Sequence, residues 1–457
     1  MPPSSRNEDH DAFAAALSGS LVVPGDPDFE ATARVFNQAF QHRPRLVVRC
    51  STTDDVVAAV RHARAAGLPV TVRSGGHAHG GASVGEGAAV IDLRGLDTIE
   101  VDREAMTATL GGGVASGALI RQLAAEGLAT VTGFDPRVGV SGLLLGGGYG
   151  LLSRRHGLAC DQLLEAEVVL ADGSVVVASP TQEPDLFWAL RGAGANVGVV
   201  TKLVLRVHEL PSVYGGTFAY HAGRAADLLP RYRAFLETLG DDTTVYVGLE
   251  TAPNTFPSLT FMAFHLGPPD EGEAVLHPLT TWGRSLGGGF SEVDVVALHH
   301  DAENETFPEG FSHSWRSHFL SALDDAAIAT LSGAVSDSVQ RSSWTVLEHM
   351  GGAIGRVDPA STAFAHRGVQ LGWVSALKWQ GAPDPDALAW QEWFFEQMRP
   401  RALGSYVNYV SPKHGPEAVV AAYTSNLGRL QQLKARYDPD WVFTGNVTVP
   451  RPSQPPR

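Results

Sequence analysis

Twenty of the chain's 50 glycines fall between Gly67 and Gly150, and they are grouped rather than scattered. The groups read RSGGH at 73–77, HGGASVGEG at 79–87, LGGG at 110–113 and LGGGYG at 145–150; a fifth, RGAGANVGVVT, follows at 191–201. Glycine lets a backbone turn with positive φ and lets amide N–H groups come close to a ligand. Such a stretch folds as short elements joined by tight loops. Two readings are open for those loops: turns between short strands, or a cradle for a long ligand carrying a pyrophosphate. The excess is local, because the other 373 residues hold 30 glycines, close to the ordinary level of about 7%.

With 457 residues, 44% hydrophobic and 18% charged, the chain has material for a large core and for two or three domains. A net charge of −15 argues against nucleic acid and anionic membranes as partners. Cys50 and Cys160 are too few for a disulfide framework or a four-ligand zinc site. The N-terminus has no basic start followed by an apolar run, and the most apolar window, Val138 to Leu152, is short and glycine-rich. A soluble, cytoplasmic protein is expected. The basic residues are mostly Arg, with lysine only at Lys202, Lys378, Lys413 and Lys434, a hint of a GC-rich bacterial genome.

Pro44–Cys50 reads as a strand. Ser51-Thr52-Thr53-Asp54 is an N-cap cluster for a helix through Val56, Val57, Val60 and Ala63 that Gly67 closes. Pro69–Arg73 is the next strand, and it runs straight into RSGGH. Strands follow at Ala89–Leu93 and within Thr98–Leu110, then a helix through Leu119, Ile120 and Leu123. Asp172-Gly173 between Val-rich runs marks a hairpin. Beyond about Pro211 the spacing predicts strands at Val213–Tyr220, Thr244–Leu249, Leu259–Phe264, Ser343–His349 and Gln370–Trp379. Helices are expected at Ala225–Leu239, Ser321–Val339, Pro385–Met398 and Ala421–Arg436. This is an α+β pattern whose second part is an antiparallel sheet covered by helices on one face.

No G-x-G-x-x-G turn with a following acidic residue is present, so a nicotinamide-type dinucleotide fold is not expected. RSGGH, LGGGYG, DLFWALRGAGANVGVVT at 185–201, SYVNYV at 405–410 and YDPDWVF at 437–443 occur in order along the chain. Together they resemble the berberine-bridge-enzyme-like FAD oxidases of the vanillyl-alcohol-oxidase/PCMH-type fold group. The resemblance implies a two-domain fold, with FAD held by residues 1–207 and 412–457 and the substrate by residues 208–411.

It also implies that His77 is bonded covalently to the 8α-methyl of FAD, with Val72, Arg73, Ser74, Gly75, Gly76, Ala78 and Gly81 around it. Gly133, Val138, Gly139, Gly142, Gly146, Gly148, Gly150, Gly198, Val199, Asn408 and Asn446 complete the expected cofactor contacts. Many relatives carry a second, cysteinyl link in a C-P-x-V-G segment. Here that segment is Asp135-Pro136-Arg137-Val138-Gly139, so a single link is expected, as in monocovalent bacterial members. Val138 matches the position that gates oxygen, and its small size suggests an oxidase.

Tyr409 matches a tyrosine that serves as base, with Tyr406 beside it; a phenol of reference pKa near 10 needs help in that role. The alternative is that both tyrosines simply pack. The carboxylate that several relatives place after a His-Arg pair is absent, since Gly372 or Trp373 stands there. Glu348 could supply one from a neighbouring strand, unless it is exposed or salt-bridged. Leu144, Tyr246 and Trp373 are candidate pocket walls. The resulting expectation is hydride transfer from a small apolar or aromatic secondary metabolite to FAD, with O2 reduced to H2O2. Oxygenating or oxidative-cyclisation chemistry is the alternative. A metal-dependent hydrolase using His77 and His79 with Asp92, or His299-His300-Asp301, is a remote one.

Overall fold

In the computed structural model, residues 8–251, 256–299, 308–337, 343–411, 414–445 and 447–452 are described. Two sheets form before residue 207. The first joins β1 (Ser20–Val22), β2 (Leu46–Arg49), β3 (Val70–Arg73) and β4 (Ala89–Asp92) in the order β1-β2-β4-β3. β2 and β3 both run parallel to β4, which lies between them. The intervening helix Thr53–Ala65 is fixed at its start by the predicted cap: Thr52 and Asp55 close a capping box. Val56, Ala59, Val60 and Ala63 bury its inner stripe.

The second sheet is antiparallel. It contains β5 (Ile99–Asp102), β6 (Thr107–Gly111), β8 (Leu163–Val169), β9 (Val175–Ala178) and β10 (Val199–Arg206), in the order β5-β6-β10-β8-β9. The Asp172-Gly173 turn joins β8 to β9, with Gly173 at φ +78°. The two-residue strands β7 (Leu128–Ala129) and β11 (His208–Glu209) pair with each other.

The third sheet is antiparallel and has eight strands. They are β12 (Val213–His221), β13 (Thr243–Thr251), β14 (Ser258–Leu266), β15 (Gly287–Glu292), β16 (Ser312–Leu320), β17 (Ser343–His349), β18 (Leu371–Trp379) and β19 (Ala402–Gly404). Their order is β15-β12-β14-β13-β17-β18-β16-β19. Because strand side chains alternate between faces, the register sorts them cleanly. Val245, Val247, Phe261, Leu347, Trp373 and Leu377 face one way, into a core shared with the helices Ala225–Leu236, Asp325–Asp337 and Pro385–Met398. Tyr246, Trp315, Val346, Val374 and Ala376 face the other way.

β16 was not legible in the sequence, where His and Ser alternate with aromatics. The expected single C-terminal helix is two, Pro416–Tyr423 and Leu427–Tyr437, broken by a short turn in which Thr424 takes φ +43°. The YDPDWVF segment returns the chain to β3. Val70 N–H donates to Val442 O (2.8 Å) and Thr444 N–H to Val70 O (2.8 Å). Buried Asp438 holds that segment by accepting from Val442 N–H, Phe443 N–H and the buried Lys434 ammonium, at 2.8, 3.0 and 2.8 Å. The strand leading into RSGGH is thus clamped by residues more than 370 positions away. Among the described residues, no helix is long and apolar enough to cross a membrane.

Candidate active site

The RSGGH loop is set backbone against backbone on the DPRVG turn. A Cβ on Gly75 would lie 2.6 Å from Arg137 O and closer still to Gly139 N, and one on Gly139 would strike Ser74 Oγ. This answers part of the question the glycines raised. Gly75, Gly139, Gly146 and Gly150 are required by close protein contacts, whereas Gly142 has no neighbour within 4 Å of a Cβ and Gly133 has only Leu143. Arg73 and Ser74 also serve the loop itself. The Arg73 guanidinium donates to Thr32 O (2.5 Å) and Arg34 O (2.9 Å), and Ser74 Oγ donates to Gly112 O (2.9 Å). Val199 lies in the core beneath the first sheet.

His77 emerges from this clamp with its ring stacked on Phe36 at 4.3 Å. Its Nδ1 is 3.9 Å from Asp135 Oδ2. Burial lowers the His77 pKa to about 4 against the opposing pull of Asp135, so the imidazole is neutral at physiological pH. Burial opposes ionisation of Asp135, but Arg137 outweighs it and the carboxyl sits below its usual range. Arg137 donates to it through Nε (3.0 Å), Nη2 (2.7 Å) and its backbone N–H (2.9 Å). The local sequence explains the geometry: Asp-Pro opens a turn closed by Val138 N–H to Asp135 O (3.3 Å).

A second cluster faces this loop. Glu348, on β17, is buried at 8% exposure, which removes the reading of an exposed glutamate. Its Oε2 accepts from Tyr149 O–H at 2.5 Å and its Oε1 from Tyr409 O–H at 3.2 Å. Burial raises its pKa to about 7, with the two phenol hydrogen bonds pulling the other way. Tyr409 and Tyr149 are pushed well above 10 by burial and by the Glu348 charge. The Tyr409 phenol is thus placed as a hydrogen-bond donor to a carboxylate, and its raised pKa works against the role of base expected for it. Tyr406 O–H accepts from Gly148 N–H (3.0 Å) and Asn408 Nδ2 (2.8 Å), and Asn408 also donates to Leu143 O (2.9 Å). Tyr406 and Asn408 thereby fix the LGGGYG loop.

Glu348 sits directly opposite Gly372 in the β17–β18 ladder. A Cβ on Gly372 would come within 2.7 Å of Glu348 Oε2, so the glycine makes room for the carboxylate. Apolar groups surround the cluster: Tyr246, Val346 and Val374, with Phe134, Met262, Trp315 and Trp344. His79 stacks on Trp315 at 3.8 Å and meets Tyr409 edge-on at 5.3 Å. One of the three expected pocket walls faces away. Trp373 points to the helix-covered face, 4.9 Å from Phe394, because it is one residue out of phase with Val374. Leu144 is fully buried in the core cluster that also holds Tyr149 and Tyr406. Asn446 lies outside the described residues, as do His300 and Asp301. Tyr149, Phe134, Trp315 and His79 were missed as site residues; for Tyr149 the signal was an aromatic inside a glycine loop.

The arrangement fits a large polar cofactor beside His77. Arg73 Nε, His79 Nδ1 and Ser83 Oγ are buried without a hydrogen-bond partner along this one loop. Among the described residues, no group of three or more His, Cys, Asp or Glu side chains is placed to hold a metal ion.

Residues 44–179 match the FAD binding domain family, and residues 405–450 match the berberine and berberine-like family. The chain is 35% identical to (R)-6-hydroxynicotine oxidase of Paenarthrobacter nicotinovorans, over 81% of this chain and 82% of that protein. It is 30% identical to the FAD-linked oxidoreductase pgmH of Aspergillus terreus, over 96% and 95%. The crystal structure of 6-hydroxy-D-nicotine oxidase from Arthrobacter nicotinovorans superposes with a TM-score of 0.87 at 30% identity, covering 95% of this chain and 98% of that one. The fold is shared with Physcomitrella patens BBE-like 1, TM-score 0.89 at 22% identity, over 97% and 99%.

Proposed function

The chain belongs to the berberine-bridge-enzyme-like FAD-linked oxidoreductases, with their two-domain vanillyl-alcohol-oxidase/PCMH-type fold, and from that premise we propose an oxidase of small apolar or aromatic molecules that uses O2 and releases H2O2. The observation that carries the proposal is Glu348, a buried carboxyl held by two tyrosines within an apolar wall. Residues 1–207 and 412–457 are assigned to the cofactor and 208–411 to the substrate. FAD is attached through His77 alone, since Asp135 occupies the position of the second tether.

Bound FAD supplies a two-electron acceptor for a substrate C–H bond and the centre that dioxygen reoxidises. The chain's own residues do the rest. Glu348, titrating near 7, is substantially ionised at neutral pH and can take the proton from a substrate O–H or N–H. Tyr149 and Tyr409 hold the carboxylate in place and stay protonated. Tyr246, Met262, Trp344, Val346 and Val374 exclude water and favour flat, apolar groups over a polyol. The hydroxynicotine named in the relative at 35% identity supports this class over the oligosaccharides named for the more distant xylooligosaccharide oxidase at 28%.

The test is a panel of aromatic amines, alcohols and phenols alongside xylo- and cello-oligosaccharides, followed by oxygen uptake and peroxide. Turnover of an aromatic substrate with one H2O2 per product, reduced at least about 100-fold in Glu348→Gln, is expected. Turnover of oligosaccharides alone, or product formed without peroxide, refutes the proposal.

A further inference from the structure

In the DPRVG turn the Asp135 carboxylate faces Nδ1 of His77 at 3.9 Å. We propose that Asp135 drives attachment of the cofactor by accepting the Nδ1 proton of His77 as the nitrogen–carbon bond forms. The inference rests on the assignment of His77 as the attachment point.

A bond forms between an imidazole nitrogen and the 8α carbon of FAD. One C–H and one N–H bond are broken, and two electrons with two protons pass to dioxygen, giving H2O2 and oxidised, attached FAD. In a neutral imidazole the nitrogen without hydrogen is the nucleophile, so the bond forms at Nε2 while Nδ1 carries the proton. The substituted ring is then cationic and releases that proton from Nδ1, for which Asp135 Oδ2 at 3.9 Å is the facing acceptor. Arg137 keeps that acceptor ionised and fixed, through two guanidinium contacts of 3.0 and 2.7 Å. Phe36 fixes the imidazole plane from one side, and Arg137 also lies over the Phe36 ring at 5.3 Å. The other charged or titratable groups in electrostatic contact with His77 are Arg73, His79 and His313. None of these is an anion, so Asp135 is the sole carboxylate acting on the ring among these groups.

Asp135 also serves the turn, because its Oδ1 accepts the Arg137 N–H at 2.9 Å. Asp135→Asn separates the two roles, since an amide oxygen keeps that hydrogen bond but cannot take a proton. The full chain, its Asp135→Asn variant and its His77→Ala variant are produced under riboflavin limitation and mixed with FAD. Total bound flavin, flavin surviving acid precipitation and thermal stability are followed with time and pH. In Asp135→Asn, full FAD binding is expected, with covalent attachment slowed about 100-fold or more at neutral pH. Its rate should rise about tenfold per pH unit as hydroxide replaces the carboxylate, while the wild-type rate stays flat between about pH 6 and 8. An Asp135→Asn rate within threefold of wild type, with a flat profile, overturns the proposal and leaves His77 as the link. Acid-stable flavin in His77→Ala overturns the link itself. Loss of FAD binding or a large drop in melting temperature in Asp135→Asn assigns Asp135 to the turn alone and also overturns the proposal.

Discussion

Replacing Glu348 with Gln should make the protein more stable in alkali and leave it unchanged in acid. The carboxyl titrates near 7 in the fold against an ordinary value of 4.5, chiefly because it is buried. A raised pKa means that the folded state prefers the protonated form. Its stability contribution is fully present below about pH 4.5 and is lost as pH rises through 7. Each pH unit between the two values is worth about 1.4 kcal/mol, so the charged carboxylate costs the fold about 3 kcal/mol above pH 8. Gln is neutral throughout and accepts from one tyrosine through its carbonyl oxygen. The variant's advantage should therefore open between about pH 5 and 8 and plateau there. For a chain of this length, with an unfolding entropy of about 2.1 cal/mol/K per residue, 3 kcal/mol corresponds to about 3 °C in Tm. Paired thermal scans of flavin-loaded wild type and Glu348→Gln at half-unit pH steps measure it. A difference that is independent of pH would refute the reasoning, because any purely steric effect of the substitution is present at every pH.

Tyr149→Phe removes the shorter of the two hydrogen bonds to Glu348, at 2.5 Å. Those bonds hold the carboxyl pKa down, so the midpoint of the same pH-dependent stability difference should move above 7; a midpoint at or below 7 refutes it. Arg367→Ala strips the bidentate partner, at 2.7 and 2.8 Å, from Asp161 in a pair where Arg367 is 1% exposed. Leaving that carboxylate unpaired should cost about 3–5 kcal/mol, seen as a lower Tm and denaturant midpoint, while Arg367→Met with Asp161→Leu recovers much of the loss. Gly75→Ala drives a Cβ into the backbone of the DPRVG turn. It should cost about 1–3 kcal/mol and lower the acid-stable flavin fraction, which precipitation and absorbance report.

The fold was largely legible because its elements carry local signals. The Thr52–Asp55 capping box, the Asp172-Gly173 hairpin and the alternation in β13, β14, β17 and β18 each specify their element within ten residues. What was illegible depends on contacts distant in sequence. Nothing near Tyr149 reveals that its hydroxyl meets a carboxylate 199 positions later. Trp373 was expected in the pocket wall but faces the helix-covered core, and in a strand a shift of one residue exchanges pocket for core. β16 lacked a strand signature because polar residues occupy positions that face the helix Pro385–Met398, where Ser314 donates to Gln391 and His318 Nε2 meets Phe395 O. The glycine loops left two readings open, turns or a ligand cradle, and at Gly75, Gly139, Gly146 and Gly150 close contacts within the protein account for the glycine.

Glu348 and Asp135 share one structural logic. Opposed residues in neighbouring antiparallel strands stand about 4.5–5.5 Å apart at Cβ, less than the reach of a glutamate side chain. A carboxylate can therefore leave β18 and be supplied from the facing position of β17, provided the vacated position is small enough to admit it. Gly372 meets that condition, and any side chain there would collide with Glu348 Oε2. The pairing of a buried Glu with an opposed Gly is then a two-residue unit, invisible to a motif read along one strand. At the DPRVG turn a single position carries the proposal: the turn's own hydrogen bonds fix Asp135 with its carboxylate 3.9 Å from His77 Nδ1. In both places the backbone fixes where a reactive group must be, and the side chain decides only which chemistry is delivered to that point.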